Sequence, residues 1–222
     1  MSRKICMAVA LAGLLAACTG GGPVASPATT SSTAPPSPAE LDERVKKALA
    51  PPGAFDVFGG RVALTSPAND SDPGHEQSNV SAACGGSPLR VDSGISVSRS
   101  RAWTGGVNLA ESVHAMSDLP GSVLLTTVQR RSRLCTTYYP YGRTAHTVVP
   151  DVPHVKPHGI DESYVFCERV DHPEMPLWQC YAYLARGTLL AVILEVGNRT
   201  KEAALLRLTS AVPIFAESLV KA

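Results

Sequence analysis

The chain has 222 residues, with 20 Lys+Arg against 19 Asp+Glu, 44% hydrophobic and 18% charged residues, the balance of one globular domain with a further segment attached. A formal charge of +1, and a basic cluster no wider than Arg130, Arg131 and Arg133, leave no electrostatic footprint for nucleic acid. Beyond the N-terminal segment the longest uninterrupted apolar run is residues 189–194, against the roughly 20 residues a membrane-spanning helix takes, so no integral membrane domain is expected.

Arg3 and Lys4 precede an apolar run over residues 5–17 that ends in Ala16 and Ala17, the build of a secretory signal peptide covering residues 1–17. The run continues into Leu15-Ala16-Ala17-Cys18, which resembles the lipobox of bacterial lipoproteins. The resemblance implies cleavage before Cys18 and a diacylglyceryl group on its thiol, often with an acylated amino terminus. Each buried methylene contributes about 0.8 kcal/mol, so two or three chains anchor stably where one does not. Cleavage removes Arg3 and Lys4 and no acid, so attachment would rest on lipid, with no polybasic patch to help. Residues 18–39 are then the lipidated cysteine and a tether. From residue 19 the tether holds only Thr, Gly, Pro, Val, Ala and Ser, including five prolines, a composition that cannot bury enough apolar surface to fold. Fully extended in polyproline geometry, at about 3.1 Å per residue, it would reach roughly 65 Å from the membrane.

Residues 40–222 form one domain of α+β class, an antiparallel sheet with packed helices. Ser37-Pro38-Ala39-Glu40 is a capping box with Pro at the first helical position. Leu41, Val45, Ala48 and Leu49 follow at helical spacing until Pro51-Pro52 ends the run. Residues 95–103 alternate, Ile95, Val97 and Trp103 on one face and Ser96, Ser98 and Ser100 on the other. Gly105-Gly106 turns this strand back towards residues 107–116, making a hairpin. A helix is expected from an N-cap at Ser117 to about Arg133, with Leu124, Leu125 and Val128 on one face and the arginines complementing its C-terminal dipole. Strands follow at residues 162–170, 177–185 and 188–196, the last two joined at Arg186-Gly187. Residues 200–219 close the chain as a helix in which Pro213 predicts a kink.

With Cys18 lipidated, Cys84, Cys135, Cys167 and Cys180 remain, an even number that implies two disulfides in an exported chain. Cys167 and Cys180 flank a turn near Pro173-Glu174 and would face each other across an antiparallel pair, at the short Cα separation a disulfide needs. That pairs Cys84 with Cys135. A zinc site is the rival use of these thiols, but no C-x-x-C spacing occurs, and no metal or cofactor is expected.

The order Cys84, Trp103, the strand and helix ending at Cys135, Cys167, Cys180, then Arg186-Gly187-Thr188-Leu189-Leu190-Ala191-Val192 and an Ala/Leu-rich terminal helix resembles the PknH-like extracellular sensor domain family of actinobacterial receptor kinases and lipoproteins. The resemblance implies an antiparallel sheet with packed helices, two disulfides and a cleft for an unidentified extracellular ligand. It brings no ligand-contact motif, and the chain has no kinase segment.

No catalytic residue is nominated. His146, His154, His158 and His172 lie among several acids, but prolines surround His154 and His158, no HExxH occurs, and exposed loop histidines account for them. Ser218 and Lys221 match S-x-x-K without the motifs that should follow it, at a helix end. Tyr138, Tyr139 and Tyr141, next to Cys135, are the candidate ligand wall, set against ordinary packing of tyrosines at a sheet edge. Trp103, Trp178, Tyr181 and Tyr183 are expected to pack in or beside the core. The leading expectation is a lipid-anchored sensor-like module on the extracytoplasmic face of a bacterial membrane that binds a ligand and is not an enzyme. A module docking on another envelope protein is the alternative, and an atypical hydrolase comes last. A deep apolar cleft would favour the first, a flat exposed patch the second, and a convergent Ser, His and acid the third.

Overall fold

The computed structural model describes residues 36–67, 95–139, 144–171 and 173–222, and Pro35–Ala222 forms one compact unit. The signal-like segment, Cys18, the tether as far as residue 35, Cys84, Tyr141 and His172 lie outside the described residues.

Helix α1 (Pro38–Ala48) starts on the expected capping box: the Glu40 amide donates to Ser37 Oγ at 3.3 Å and the Ser37 amide to Glu40 Oε2 at 2.7 Å. Its buried face is Leu41, Val45 and Ala48. A 3₁₀ turn (Pro52–Phe58) follows, closed by Gly59 at φ 70°, and leads into β1 (Gly60–Pro67). Then come β2 (Ile95–Gly105), β3 (Leu109–Met116), α2 (Gly121–Leu134), β4 (Thr137–Tyr138), β5 (His146–Val149), β6 (Glu162–Val170), β7 (Leu177–Arg186), β8 (Leu189–Asn198) and α3 (Lys201–Lys221). The strands form one antiparallel sheet in the order β1-β2-β3-β8-β7-β6-β5-β4. The α+β class and the β2–β3 hairpin stand as expected.

Alternation along the strands divides the core in two. Val165, Cys167, Cys180, Ala182, Leu184, Ala191 and Ile193 pack with α1 and α3 on one face. Tyr164, Phe166, Tyr181, Tyr183, Leu190 and Val192 pack with α2 on the other. Helix α3 is long and apolar enough to cross a membrane by length and composition. It instead buries Ala204, Leu208, Ala211, Phe215 and Leu219 against the sheet, as a core helix does.

Several expectations are corrected. Helix α2 does not begin at Ser117, whose hydroxyl donates to Asp118 Oδ2 at 3.0 Å. Pro120 holds an extended backbone, ψ 144°, and the helix starts after it, because the residue before a proline is disfavoured in helical geometry. The expected two-faced pattern of β2 fails at its N-terminal end: a bulge between Ile95 and Val97 shifts the register, and Ser98 is buried, its hydroxyl 2.7 Å from His114 Nδ1. One of the two expected disulfides has both cysteines among the described residues: Cys167 and Cys180 pair in register across β6 and β7, Cα atoms 4.0 Å apart. Cys135 is disulfide-bonded as well, and Cys84, the partner expected for it, lies outside the described residues.

Candidate functional site

The segment joining β5 to β6 folds back along the sheet and is pinned at both ends. The Val152 amide donates to the Val165 carbonyl at 3.0 Å and the Asp161 amide to the Ala185 carbonyl at 3.0 Å. The Gly187 amide donates to Asp161 Oδ2 at 2.7 Å, and Lys156 Nζ to the Asp161 carbonyl at 3.0 Å. Side chains of Val152 and Ile160 are buried in the first core. The stretch between them stands off as a wall.

Between that wall and α3 lies a cleft of about 820 Å³. Val165, Ala182 and Leu184 form its floor, Pro153, Val155 and Pro157 one side, and Val212, Pro213, Ala216 and Val220 the other. The polar groups His154, Lys156, His158, Thr209 and Glu217 also line it. Gly159, at φ 78°, sets the spacing of the walls, since a Cβ there would come within 2.9 Å of Val220 Cγ2. Pro213 has no amide, so the Thr209 carbonyl loses its helical donor beside the cleft.

Of the expected ligand tyrosines, the two among the described residues, Tyr138 and Tyr139, do not line the cleft. Tyr138 sits in the second core at 6% exposure, its hydroxyl donating to Glu168 Oε1 at 2.7 Å, whereas Tyr139 is 63% exposed. Trp103 is buried and donates from Nε1 to the Pro52 carbonyl at 2.9 Å. Trp178 is partly buried against the first core, and Tyr181 and Tyr183 are in the second. Of the histidines expected in exposed loops, His154 and His158 border the cleft, whereas His146 opens β5 and is mostly buried, its Nδ1 3.1 Å from Glu168 Oε2. No group of three or more His, Cys, Asp or Glu placed to hold a metal occurs among the described residues. Ser218 donates to the Ile214 carbonyl and Lys221 pairs with Glu217, the contacts of a helix end.

A serine–histidine contact does occur at the cleft, His154 Nε2 to Ser163 Oγ at 2.9 Å. His154 Nδ1 faces the Val152 carbonyl at 3.0 Å, where a triad would place an acid. Three buried ionisable groups, none singled out from the sequence, lie away from the cleft. Burial pushes Glu111 up to about 8, against the Ala50 amide and Arg101, and pushes His114 down to about 4. Burial also lifts Glu195 to about 7, against Asn198 and Arg207. Their signal in sequence is a charged residue at an inward position of an otherwise apolar strand, legible only once the facing of the strand is known.

No protein-family model matches the sequence, and no curated protein matches it. The crystal structure of the extracellular domain of PknH from Mycobacterium tuberculosis matches over 84% of this chain and 96% of that domain, with a TM-score of 0.55 at 13% identity. What the chain shares with that extracellular domain is its fold.

Proposed function

We propose that the chain is an exported bacterial lipoprotein, held on the extracytoplasmic face by lipid on Cys18 and raised on the tether. Its domain binds a small apolar or amphiphilic molecule in the cleft between loop 153–158 and α3, without transforming it. The observation that carries this reading is the cleft itself. At about 820 Å³ it lies within the range of roughly 300–1,000 Å³ typical of ligand sites, and an apolar floor with a few polar groups is how such sites are built. The signal-like segment, the lipobox-like cysteine and the even number of remaining cysteines support export, as does the fold shared with an extracellular domain. Cys84 is the partner we assign to Cys135.

The test is native mass spectrometry on protein exported from a bacterial host and kept unreduced. The expected result is a co-purified small molecule that disappears in Thr209→Trp, which fills the cleft from an exposed helix position while leaving the melting temperature unchanged. Protein that is empty, or a variant that keeps the molecule, counts against the cleft. Non-reducing peptide maps should contain a Cys84–Cys135 peptide, and labelled fatty acid should be incorporated by the wild type and not by Cys18→Ser.

A further inference from the structure

On the opposite flank of α3 is a second, open-mouthed cavity of about 300 Å³, lined by the 3₁₀ turn, the β2–β3 turn and the N-terminal half of the helix. Its walls are built closely. Gly106 packs so tightly that a Cβ would come within 1.8 Å of the Phe58 carbonyl, and its amide donates to the Gly59 carbonyl at 2.9 Å. Phe55, Val107 and Leu109 line the interior and are buried; Phe58 is 50% exposed and Leu206 more so, giving the mouth an apolar rim.

One polar group inside is unsatisfied. Glu195, on the face of β8 under α3, lines the cavity with no exposed surface. Its Oε2 accepts from Asn198 Nδ2, but Oε1 accepts no hydrogen bond. Arg207, also lining the cavity, stops with Nη1 at 3.9 Å from Oε1, near enough to balance the charge and too far to donate. A buried acceptor without a donor is costly, and a ligand that supplies the donor recovers that cost. The Glu195–Arg207 pair is already neutral in sum, so an added ammonium or carboxylate would leave an unbalanced charge against the apolar walls, whereas a neutral donor would not.

We propose that this cavity binds a small, net-neutral aromatic alcohol or phenol, its ring against Phe55 and Phe58 and its hydroxyl donating to Glu195 Oε1. The site is separate from the cleft and does not depend on it. Offset or edge-on ring contacts suit the tilted arrangement of Phe55 and Phe58, whose centroids are 6.4 Å apart at 42°.

The experiment uses the full chain at pH 8, where Glu195 is ionised, and two probes with one skeleton, 1-phenylethanol and acetophenone, followed by saturation-transfer NMR. The alcohol should bind about ten-fold or more tightly than the ketone, which would set a second acceptor against the carboxylate. Glu195→Gln keeps its amide oxygen on Asn198 and turns its NH₂ towards the cavity, so the preference should reverse. Ser210→Trp, from an exposed position on the cavity wall, should abolish binding of both probes with Glu195 intact. Equal affinities in the wild type, an unchanged preference in folded Glu195→Gln, or no saturation transfer at millimolar probe would each overturn the proposal.

Discussion

Glu168 shows how a single side chain can hold several strands. It is wholly buried on β6, yet both oxygens are used: Tyr138 Oη donates at 2.7 Å, Gln179 Nε2 at 2.7 Å, and His146 Nδ1 lies at 3.1 Å. These contacts join β4, β5, β6 and β7, at the edge where β4 is only two residues long and has little ladder of its own. Burial, with Glu168 beside it, pushes the Tyr138 hydroxyl well above its ordinary value, so it remains a donor at any working pH. Tyr138→Phe should cost about 1.5–3 kcal/mol in denaturant unfolding, the worth of a hydrogen bond to a charged group. Tyr139→Phe, on an exposed ring, should stay within about 0.5 kcal/mol. Equal losses would mean that packing, not the hydroxyl, secures Tyr138. Adjacent residues in extended chain point to opposite sides, so a run of tyrosines does not make one wall, and the structure separates Tyr138 from Tyr139 accordingly.

At the scale of elements, the junction between α2 and the sheet is a close backbone contact. Gly121 opens α2 with its amide donating to the Gly187 carbonyl at 2.9 Å, and a Cβ there would come within 2.1 Å of the Leu189 carbonyl. Because that obstacle is backbone, Gly121→Ala should push the helix off β8 and cost about 1–3 kcal/mol, as overpacked cores do. A melting temperature equal to wild type would refute the clash. The Cys167–Cys180 bridge is the second fastening between elements. It closes a short loop between neighbouring strands, and replacing both cysteines by Ala should lower stability by about 3 kcal/mol on the chain-entropy argument, read from unfolding with and without reductant. Elements with strong local signals were legible in the sequence: the capping box at Ser37 and Glu40, the strand spans of β6 to β8, and the register that sets Cys167 opposite Cys180. The 3₁₀ turn, β1, β4 and β5 were not. β1 is an edge strand in which Arg61, Val62 and Ala63 are exposed in succession, and β4 and β5 are too short to show a period.

Over the whole molecule, three buried ionisable groups act together on stability. Glu111 and Glu195, pushed up to about 8 and about 7 from 4.5, hold protons in the folded state that the unfolded chain has released. Their contribution is complete below about 4.5 and is lost as pH rises through 7 to 8. His114, pushed down to about 4 from 6.5, has the opposite sign, and its contribution is lost as pH falls from 6.5 towards 4. The two effects oppose each other between 4.5 and 6.5; above 6.5 only the carboxylates remain. The melting temperature should therefore decline from about pH 6.5 to 8, and Glu111→Gln should flatten most of the decline in a pH series of thermal melts. An unaltered slope would show that Glu111 is not the group responsible. All three residues occupy inward strand positions, and alternation reveals that a side chain leaves the sheet without revealing what lies over it. The sequence by itself determined the α+β class, the β2–β3 hairpin, both terminal helices and the Cys167–Cys180 pairing, because each rests on the periodicity or spacing of nearby residues. Only the tertiary structure decided which face each helix covers, that His154 and His158 border a cleft while Tyr138 is core, and that Glu195 faces an apolar cavity. Those outcomes depend on α2 and α3 packing over strands distant in the chain, and no local pattern encodes what such a distant element covers or leaves open.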